Sequence, residues 1–516
     1  MDKIKYLRFL ESKLPTAERA GIEPPSPCHP SLKPHQVEIC EWAIRGGRRA
    51  VFAQFGLGKT RMHLQIAAWV VQFSRGAQMC PASSETAIGG EMPSVKYTPE
   101  APLALSGTRG KFLIVAPLGV RQEFTKNDGP AMGLKVKYVR TMAEAAAAKE
   151  DILITNYERV RDGDLDPKAF AGAGLDESSV LRSFGSITYH TFLEKFAGVQ
   201  FRFVFTATPS PNRYKELIHY AGFLGVMDTG EALTRFFQRD SNQANNLTLY
   251  PHMEGQFWHW LRSWAVFIQS PADLGHDATG YDLPPMKVHW HRVEVDHTAN
   301  WTTDGKHFDS WGQAQLFVDE AAGLATAAAV KRDSIALRVA KAKDIMHEAG
   351  RIGGKRRNWL LWHDLEAERK SIEREIPDAC TVWGSQEMEE REARIQDFAK
   401  GKLPILATKP IIAGSGCNFQ RHCADAIFLG VGYKFNDFIQ AIHRIYRFQQ
   451  SRQVNIHIIY LDTEDMICEE LKAKWRRHDE LVAKMTELLR EHRLASNPAL
   501  LLARTIGVER QERSAA

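Results

Sequence analysis

VFAQFGLGKTRMHLQIAAWVV (51–71) decides the fold. It opens on a short apolar run, passes through a glycine-containing turn, and continues into apolar residues at helical spacing. Strand, glycine loop and helix in that order is the setting a phosphate-binding loop requires. Within AQFGLGKT (53–60), Gly56 and Gly58 let backbone N–H groups approach phosphate oxygens, and the helix N-terminus adds partial positive charge. Lys59 is placed to reach the β- and γ-phosphates, and Thr60 to ligate Mg2+. The first position holds Ala53 where the strict pattern has glycine. A chance Lys-Thr after a glycine turn is the competing reading, and the flanking strand and helix argue against it.

Outward from this stretch, Ala50–Ala53, Phe112–Ala116, Ile152–Thr155 and Phe201–Thr206 read as buried parallel strands. A second series follows at Trp359–Trp362, Thr381–Trp383, Ile405–Thr408, Ala426–Leu429 and Ile456–Tyr460. Helical stretches lie between them, which implies an α/β protein with two parallel-sheet lobes. The intervening region is rich in Trp and His, as in FWHWLRSW (257–264) and VHWHRVEVDH (288–297). It reads as an accessory elaboration packed on its own aromatics. His289 and His291 share a strand face, but no further residue has ligand spacing, so a metal site is not favoured. Residues 74–110, full of Ser, Gly, Pro and Ala, read as a flexible insertion, and TMAEAAAAKED (141–151) as an Ala-rich helix. The expected divisions are an N-terminal segment (1–30), a first lobe (31–226), the aromatic-rich region (227–350), a second lobe (351–465) and a C-terminal helical brace (466–516).

Composition agrees with this picture. At roughly 100–200 residues per domain, a chain of 516 residues holds about three. A hydrophobic fraction of 44% with 25% charged residues excludes a largely disordered, collagen-like or coiled-coil chain. No apolar run approaches the ~18 residues that span a membrane, and MDKIKYLRFLESKLP (1–15) mixes charge into its apolar residues, unlike a secretory leader. Lys plus Arg is 67 and Asp plus Glu is 62, so the net charge of +5 permits a polyanionic partner without demanding one. Seven cysteines without a C-x-x-C pair fit a reducing cytoplasm better than a disulfide framework or a structural zinc site.

A phosphate loop needs an acidic partner. In LDESS (175–179), Asp176 is the candidate to hold Mg2+ through water, and Glu177 the candidate general base for an attacking water. Taken alone, an Asp-Glu pair is more often a solvated turn, and the preceding AFAGAG (169–174) is a poor strand former. The segment FRFVFTATPSPN (201–212) downstream, an apolar strand running into TATP, reverses that judgement.

With these elements in order, the chain resembles the superfamily 2 helicases. The likeness is to the Swi/Snf-like branch, and within it to phage- and prophage-encoded DEAD/DEAH-type helicases, which carry a DESS box, a TATPSPN-like segment and a following FLGVM (223–227 here). It runs from about Leu32 to Asp462. The resemblance implies two RecA-like lobes with ATP between them and Mg2+ as cofactor. It further implies that Gln36 of LKPHQ (32–36) reads adenine, that Ala116, Pro117 and Leu118 touch the nucleic-acid backbone, and that Thr155, Asn156 and Tyr157 make a second backbone contact. Thr206 and Thr208 resemble the motif that couples hydrolysis to lobe movement. AGSGCNFQ (413–420) is similar to the AGGxGLN segment, with Gly414, Gly416 and Asn418 in the matching places and Cys417 at the usual Leu. QAIHRIYRFQQ (440–450) aligns with QAxxRxxRxGQ, placing Gln440, Arg444 and Arg447, with Gln449 in place of the usual glycine.

Arg444 and Arg447 are three apart and would share a face of a helix, where guanidinium forks suit charge developing on the γ-phosphate. A solvent-facing basic stripe is the alternative, which the first-lobe motifs outweigh. The expected partner is duplex DNA gripped without sequence preference, with a phage or host protein as a further partner and no membrane. The expected activity is ATP-dependent movement on DNA; an RNA helicase and a catalytically weak nucleotide-dependent scaffold are the rivals.

Overall fold

The computed structural model describes residues 16–79, 107–182, 186–209, 214–239, 247–294, 334–352, 355–413, 418–430, 435–492 and 494. Most of the expected insertion at 74–110 therefore lies outside the described residues, as do Gly414 and Gly416. The chain forms two units, one of residues 1–278 with 477–516 and one of residues 279–476.

The first unit is built on seven parallel strands: β1 (Arg48–Ala53), β2 (Phe112–Val115), β3 (Val136–Tyr138), β4 (Ile152–Thr155), β5 (Gly172–Asp176), β6 (Phe201–Thr206) and β7 (Ala265–Ile268). Their order is β3-β4-β2-β5-β6-β1-β7. Strand β1 pairs on both sides, Ala50 with Val204 of β6 and with Ala265 of β7. The strands read as unbroken apolar runs because both faces are covered; every residue of β2, β4 and β6 is buried. Helix α1 (Pro34–Gly46) precedes β1, and α2 (Lys59–Met79) follows the phosphate loop.

The described parts of the aromatic-rich region contribute a strand to each of the two sheets. Its first part completes the first sheet through β7, and helix α3 (Glu254–Trp264) sends Phe257, Trp260 and Trp264 into the same core. Trp260 lies 5.1 Å from Phe236 and 5.4 Å from Trp264, ring centre to ring centre. So many aromatics need a large apolar surface to cover them, and the nearby sheet supplies it. The end of the long helix α4 (Asp465–His492) also packs in this unit. Leu481 and Met485 enter the core, and Arg490 pairs at 2.8 Å with the buried Asp273.

The second unit holds six parallel strands: β8 (Met286–Val293), β9 (Trp359–Trp362), β10 (Ala379–Val382), β11 (Ile405–Thr408), β12 (Asp425–Phe428) and β13 (Val454–Leu461), in the order β8-β13-β12-β9-β11-β10. Thus VHWHRV, read as part of the accessory region, is the edge strand of the second sheet. Register places His289 beside His457. Their rings stack at 4.6 Å, and His291 Nε2 meets His457 Nδ1 at 3.0 Å. Arg338 and Glu368 form an almost fully buried ion pair at 3.0 Å, and Arg338 also donates to the Leu429 carbonyl at 2.6 Å. Among the described residues no helix is long and apolar enough to cross a membrane.

Two imidazoles, His63 buried and His457 half-buried, give stability a pH dependence. Burial pushes His63 down to about 3. Burial, with His289, His291 and Arg357 nearby, does the same to His457. Both are neutral when folded and protonate near their ordinary 6.5 when unfolded. Their contribution is complete above pH 6.5 and is lost as pH falls toward 3, by up to about 1.4 kcal/mol per unit for the fully buried His63 and by less for the half-buried His457. Urea unfolding at pH 7 and pH 5 checks this: wild type should lose roughly 2 kcal/mol more than His63→Leu over that interval. Equal losses would show that His63 is not held neutral.

Candidate nucleotide site

The loop between β1 and α2 owes its shape to two left-handed glycines, Gly56 at φ 89° and Gly58 at φ 80°. Side chains at these positions would be strained. At Gly58 there is also no room, because an added Cβ would sit 2.1 Å from Gln36 Nε2. Gln36 is buried and fastens α1 to the loop. Its amide donates to the Leu57 carbonyl at 2.9 Å and accepts from the Lys33 backbone N–H at 2.9 Å. From the other side, Gln54 N–H donates to the Ile268 carbonyl at the end of β7, at 2.9 Å. Lys59 folds over the loop, its ammonium 2.9 Å from the Ala53 carbonyl, with Thr60 beside it in the first turn of α2.

Asp176 and Glu177 stand at the C-terminal end of β5, 4% and 9% exposed. Burial and the adjacent Glu177 carboxylate raise the Asp176 pKa; Lys59 and the Glu177 backbone N–H oppose the rise. Lys59 is therefore close enough to act on Asp176. A buried carboxylate pair facing one ammonium leaves room for further positive charge, so the donor set fits Mg2+, with the Thr60 hydroxyl as an added oxygen. Among the described residues no cluster of three or more His, Cys, Asp or Glu is arranged to hold a metal ion. A Mg2+ here would draw on phosphate and water.

The strand that carries the pair is short of β-formers for a reason of space. A Cβ on Gly174 would meet His63 Nε2 at 2.0 Å, and one on Gly172 would meet Phe201, Phe112 and Val70 at 2.9–3.1 Å. Helix α2 thus packs directly on the backbone of β5, and the glycines make that approach possible. His63 is fully buried and stacks on Phe205 at 4.2 Å; Phe205 is the register partner of Asp176. Sequence reasoning passed over His63, since one His in an apolar helix carries no signal of its own. Glu177 itself adopts a left-handed backbone, φ 49°, a conformation that costs a non-glycine residue about 1 kcal/mol or more.

Other expected site residues turn inward. Thr155 is 1% exposed, so its side chain is not a surface group. Asn156 accepts from the Tyr138 hydroxyl at 3.1 Å and donates to Glu158 at 2.6 Å. Tyr157, grouped with them as a backbone contact, instead stacks on Phe192 and donates to the Asp176 carbonyl at 2.7 Å, tying the end of β4 to the acidic pair. Pro117 is half-buried, and Leu118 beside it is exposed. Thr206 and Thr208 are fully buried, and the Thr208 N–H donates to Thr206 Oγ1 at 3.2 Å.

In the second unit, Gln440 lies on α5 (Phe435–Ile442), and Asn418 is exposed. Arg444 and Arg447 do not share a helical face, because the helix stops at Ile442. Beyond it the Arg444 carbonyl accepts from Phe419 N–H at 3.1 Å, and the buried Gln450 amide donates to the Ile445 carbonyl at 3.0 Å. Arg444 is 3% exposed, whereas Arg447 is half-buried. Gln449, at the position where the resemblance expects glycine, has φ 70° and accepts from Arg421 at 3.2 Å.

Comparison with known protein families finds no match to this chain. Over 278 residues it is 26% identical to a protein named chromodomain-helicase-DNA-binding protein 3 homolog, from Caenorhabditis elegans. The match covers 49% of this chain and 15% of that protein. It is a distant likeness to a helicase.

Two substitutions test the geometry. Gly174→Ala should cost about 1–3 kcal/mol in urea unfolding by driving a methyl into His63, and His63→Ala/Gly174→Ala should recover part of the loss. An additive double variant would separate the two residues. Glu177→Gly should be more stable than Glu177→Gln by up to about 1 kcal/mol, because glycine relieves the left-handed strain that glutamine keeps.

Proposed function

We propose that the chain is an ATP-driven translocase on duplex DNA, of the Swi/Snf type. The observation that carries this reading is the approach of Lys59 to Asp176 and Glu177, at the ends of parallel strands β1 and β5 on either side of β6. The likeness to a protein named for helicase and DNA binding supports DNA as the track.

In this reading the loop N–H groups and Lys59 bind and orient the nucleotide phosphates. Gln36, already fixed to the loop, sets the distance between the base and the phosphates. Mg2+, held by Thr60 and Asp176, supplies charge neutralisation at the phosphates. Glu177 takes a proton from the attacking water, and its constrained backbone keeps the carboxylate aimed. To Arg444 and Arg447 we assign the charge that develops on the γ-phosphate. Phosphate contacts would hold the DNA in place without reading its sequence.

ATPase assays with duplex DNA, single-stranded DNA and RNA in parallel test the proposal. Duplex DNA should stimulate most, and affinity should fall steeply with salt. Greater stimulation by RNA would establish the RNA-helicase reading, and nucleotide binding without hydrolysis would establish a scaffold. Glu177→Gln should bind ATP yet hydrolyse it orders of magnitude more slowly, whereas Lys59→Ala should lose binding and hydrolysis together. Wild-type turnover in Glu177→Gln would remove Glu177 from the mechanism.

A further inference from the structure

The peptide that joins Asp176 to Glu177 is held at both ends. Its carbonyl, that of Asp176, accepts from the Tyr157 hydroxyl at 2.7 Å. Its N–H, that of Glu177, donates to the Asp176 carboxylate. Tyr157, Asp176 and Glu177 are all buried, so water does not readily replace either bond. The phenol is itself fixed. Its ring stacks on Phe192 with centres 5.6 Å apart, and its backbone opens the helix Tyr157–Arg161. Burial and the nearby Asp176 and Glu177 carboxylates push the phenol well above its ordinary pKa, so it keeps the proton it donates.

This grip bears on a strained angle. Glu177 has φ 49°, and a residue in that region has a simple way out. The peptide before it turns over by roughly 180°, which returns φ to negative values while ψ of the preceding residue compensates; type I and type II turns differ by such a turnover. The motion swings the carbonyl to the other side of the chain. Here it would pull the Asp176 carbonyl off the Tyr157 hydroxyl, and two buried polar groups would lose their partner together. On the far side, Ser178 is anchored through its own hydroxyl to the Phe205 carbonyl at 3.2 Å. The Asp176–Glu177 peptide is therefore where relaxation would occur, and the phenol opposes it.

We propose that Tyr157 is a positioning residue for hydrolysis, whose hydroxyl locks the Asp176–Glu177 peptide and so keeps the Glu177 carboxylate aimed at the attacking water. It touches neither nucleotide nor water and acts through the backbone. This role rests on the reading of Glu177 as the general base.

Tyr157→Phe in the full chain tests the lock, because it removes the hydroxyl and keeps the ring on Phe192. ATP turnover should fall about tenfold or more, with ATP affinity within about twofold of wild type. In a Glu177→Gln background the same change should slow turnover no further. Tyr138→Phe removes a neighbouring phenol bond that ends on Asn156 instead, and should keep basal turnover; an equal fall there would show general loosening and overturn the proposal. A stability cycle reads the lock without activity. Glu177→Gly should be more stable than Glu177→Gln while the peptide is held, and that advantage should vanish in Tyr157→Phe, where the peptide is free to turn over. An undiminished advantage would overturn the lock, as would wild-type turnover in Tyr157→Phe when Glu177→Gln is slow. If Glu177→Gln itself turns over at the wild-type rate, the assignment of the base fails instead, and the stability cycle still decides whether the hydroxyl holds the angle.

Discussion

The contact between helix α2 and strand β5 carries the rest of the site. Helix α2 begins with the lysine and threonine of the phosphate loop, and β5 ends with the acidic pair. Their spacing is set where His63 lies against Gly174, at a distance that a side chain at that position would prevent. A fully buried imidazole between a glycine backbone and three phenylalanine rings is a rigid spacer. A change of one methyl group at this point is felt at both ends, at the ammonium of Lys59 and at the carboxylate of Asp176.

Most of the sheet framework was legible because buried parallel strands read as apolar runs. The strands at 50–53, 152–155, 359–362 and 405–408 stand where those runs lie. The strand beneath the acidic pair was the least legible, since Gly-Ala-Gly has no strand propensity and is strand only because helix α2 needs its backbone bare. Strands β7 and β8 lay hidden in the aromatic-rich region, where Trp and His suggested a separate elaboration. Neither AVFI nor VHWHRV shows its partners, which sit far away in sequence at 50–53 and 454–461.

The site residues divide in the same way. The glycine loop stands out from its flanking strand and helix, whereas the acidic pair stands out only with FRFVFTATPSPN downstream of it. Spacing cannot tell an inward threonine from an outward one: Thr155 and Tyr157, which the resemblance makes contacts to the nucleic-acid backbone, are buried. The arginine pair misled for another reason. Three-residue spacing implies one helical face only while the helix lasts, and this helix ends at Ile442, before either arginine. Glu177 and Gln449 are the described non-glycine residues with a left-handed backbone, and both fall within motifs. At Gln449 the unusual angle is one that glycine adopts freely, which gives a physical reason for the glycine in the QAxxRxxRxGQ pattern that the segment resembles.

The hydrogen bond from Gln54 to Ile268 has a bearing on how the protein is made. Strand β1 is synthesised early, yet it lies between β6 and β7, whose residues leave the ribosome much later. At about 5–20 residues per second, the wait between the loop and its last supporting strand is on the order of ten seconds or more. During that interval an apolar strand has both edges open and its phosphate loop unsupported. The nascent chain must therefore pass through a stage rich in exposed strand edges, which makes this segment the one most in need of a chaperone during translation.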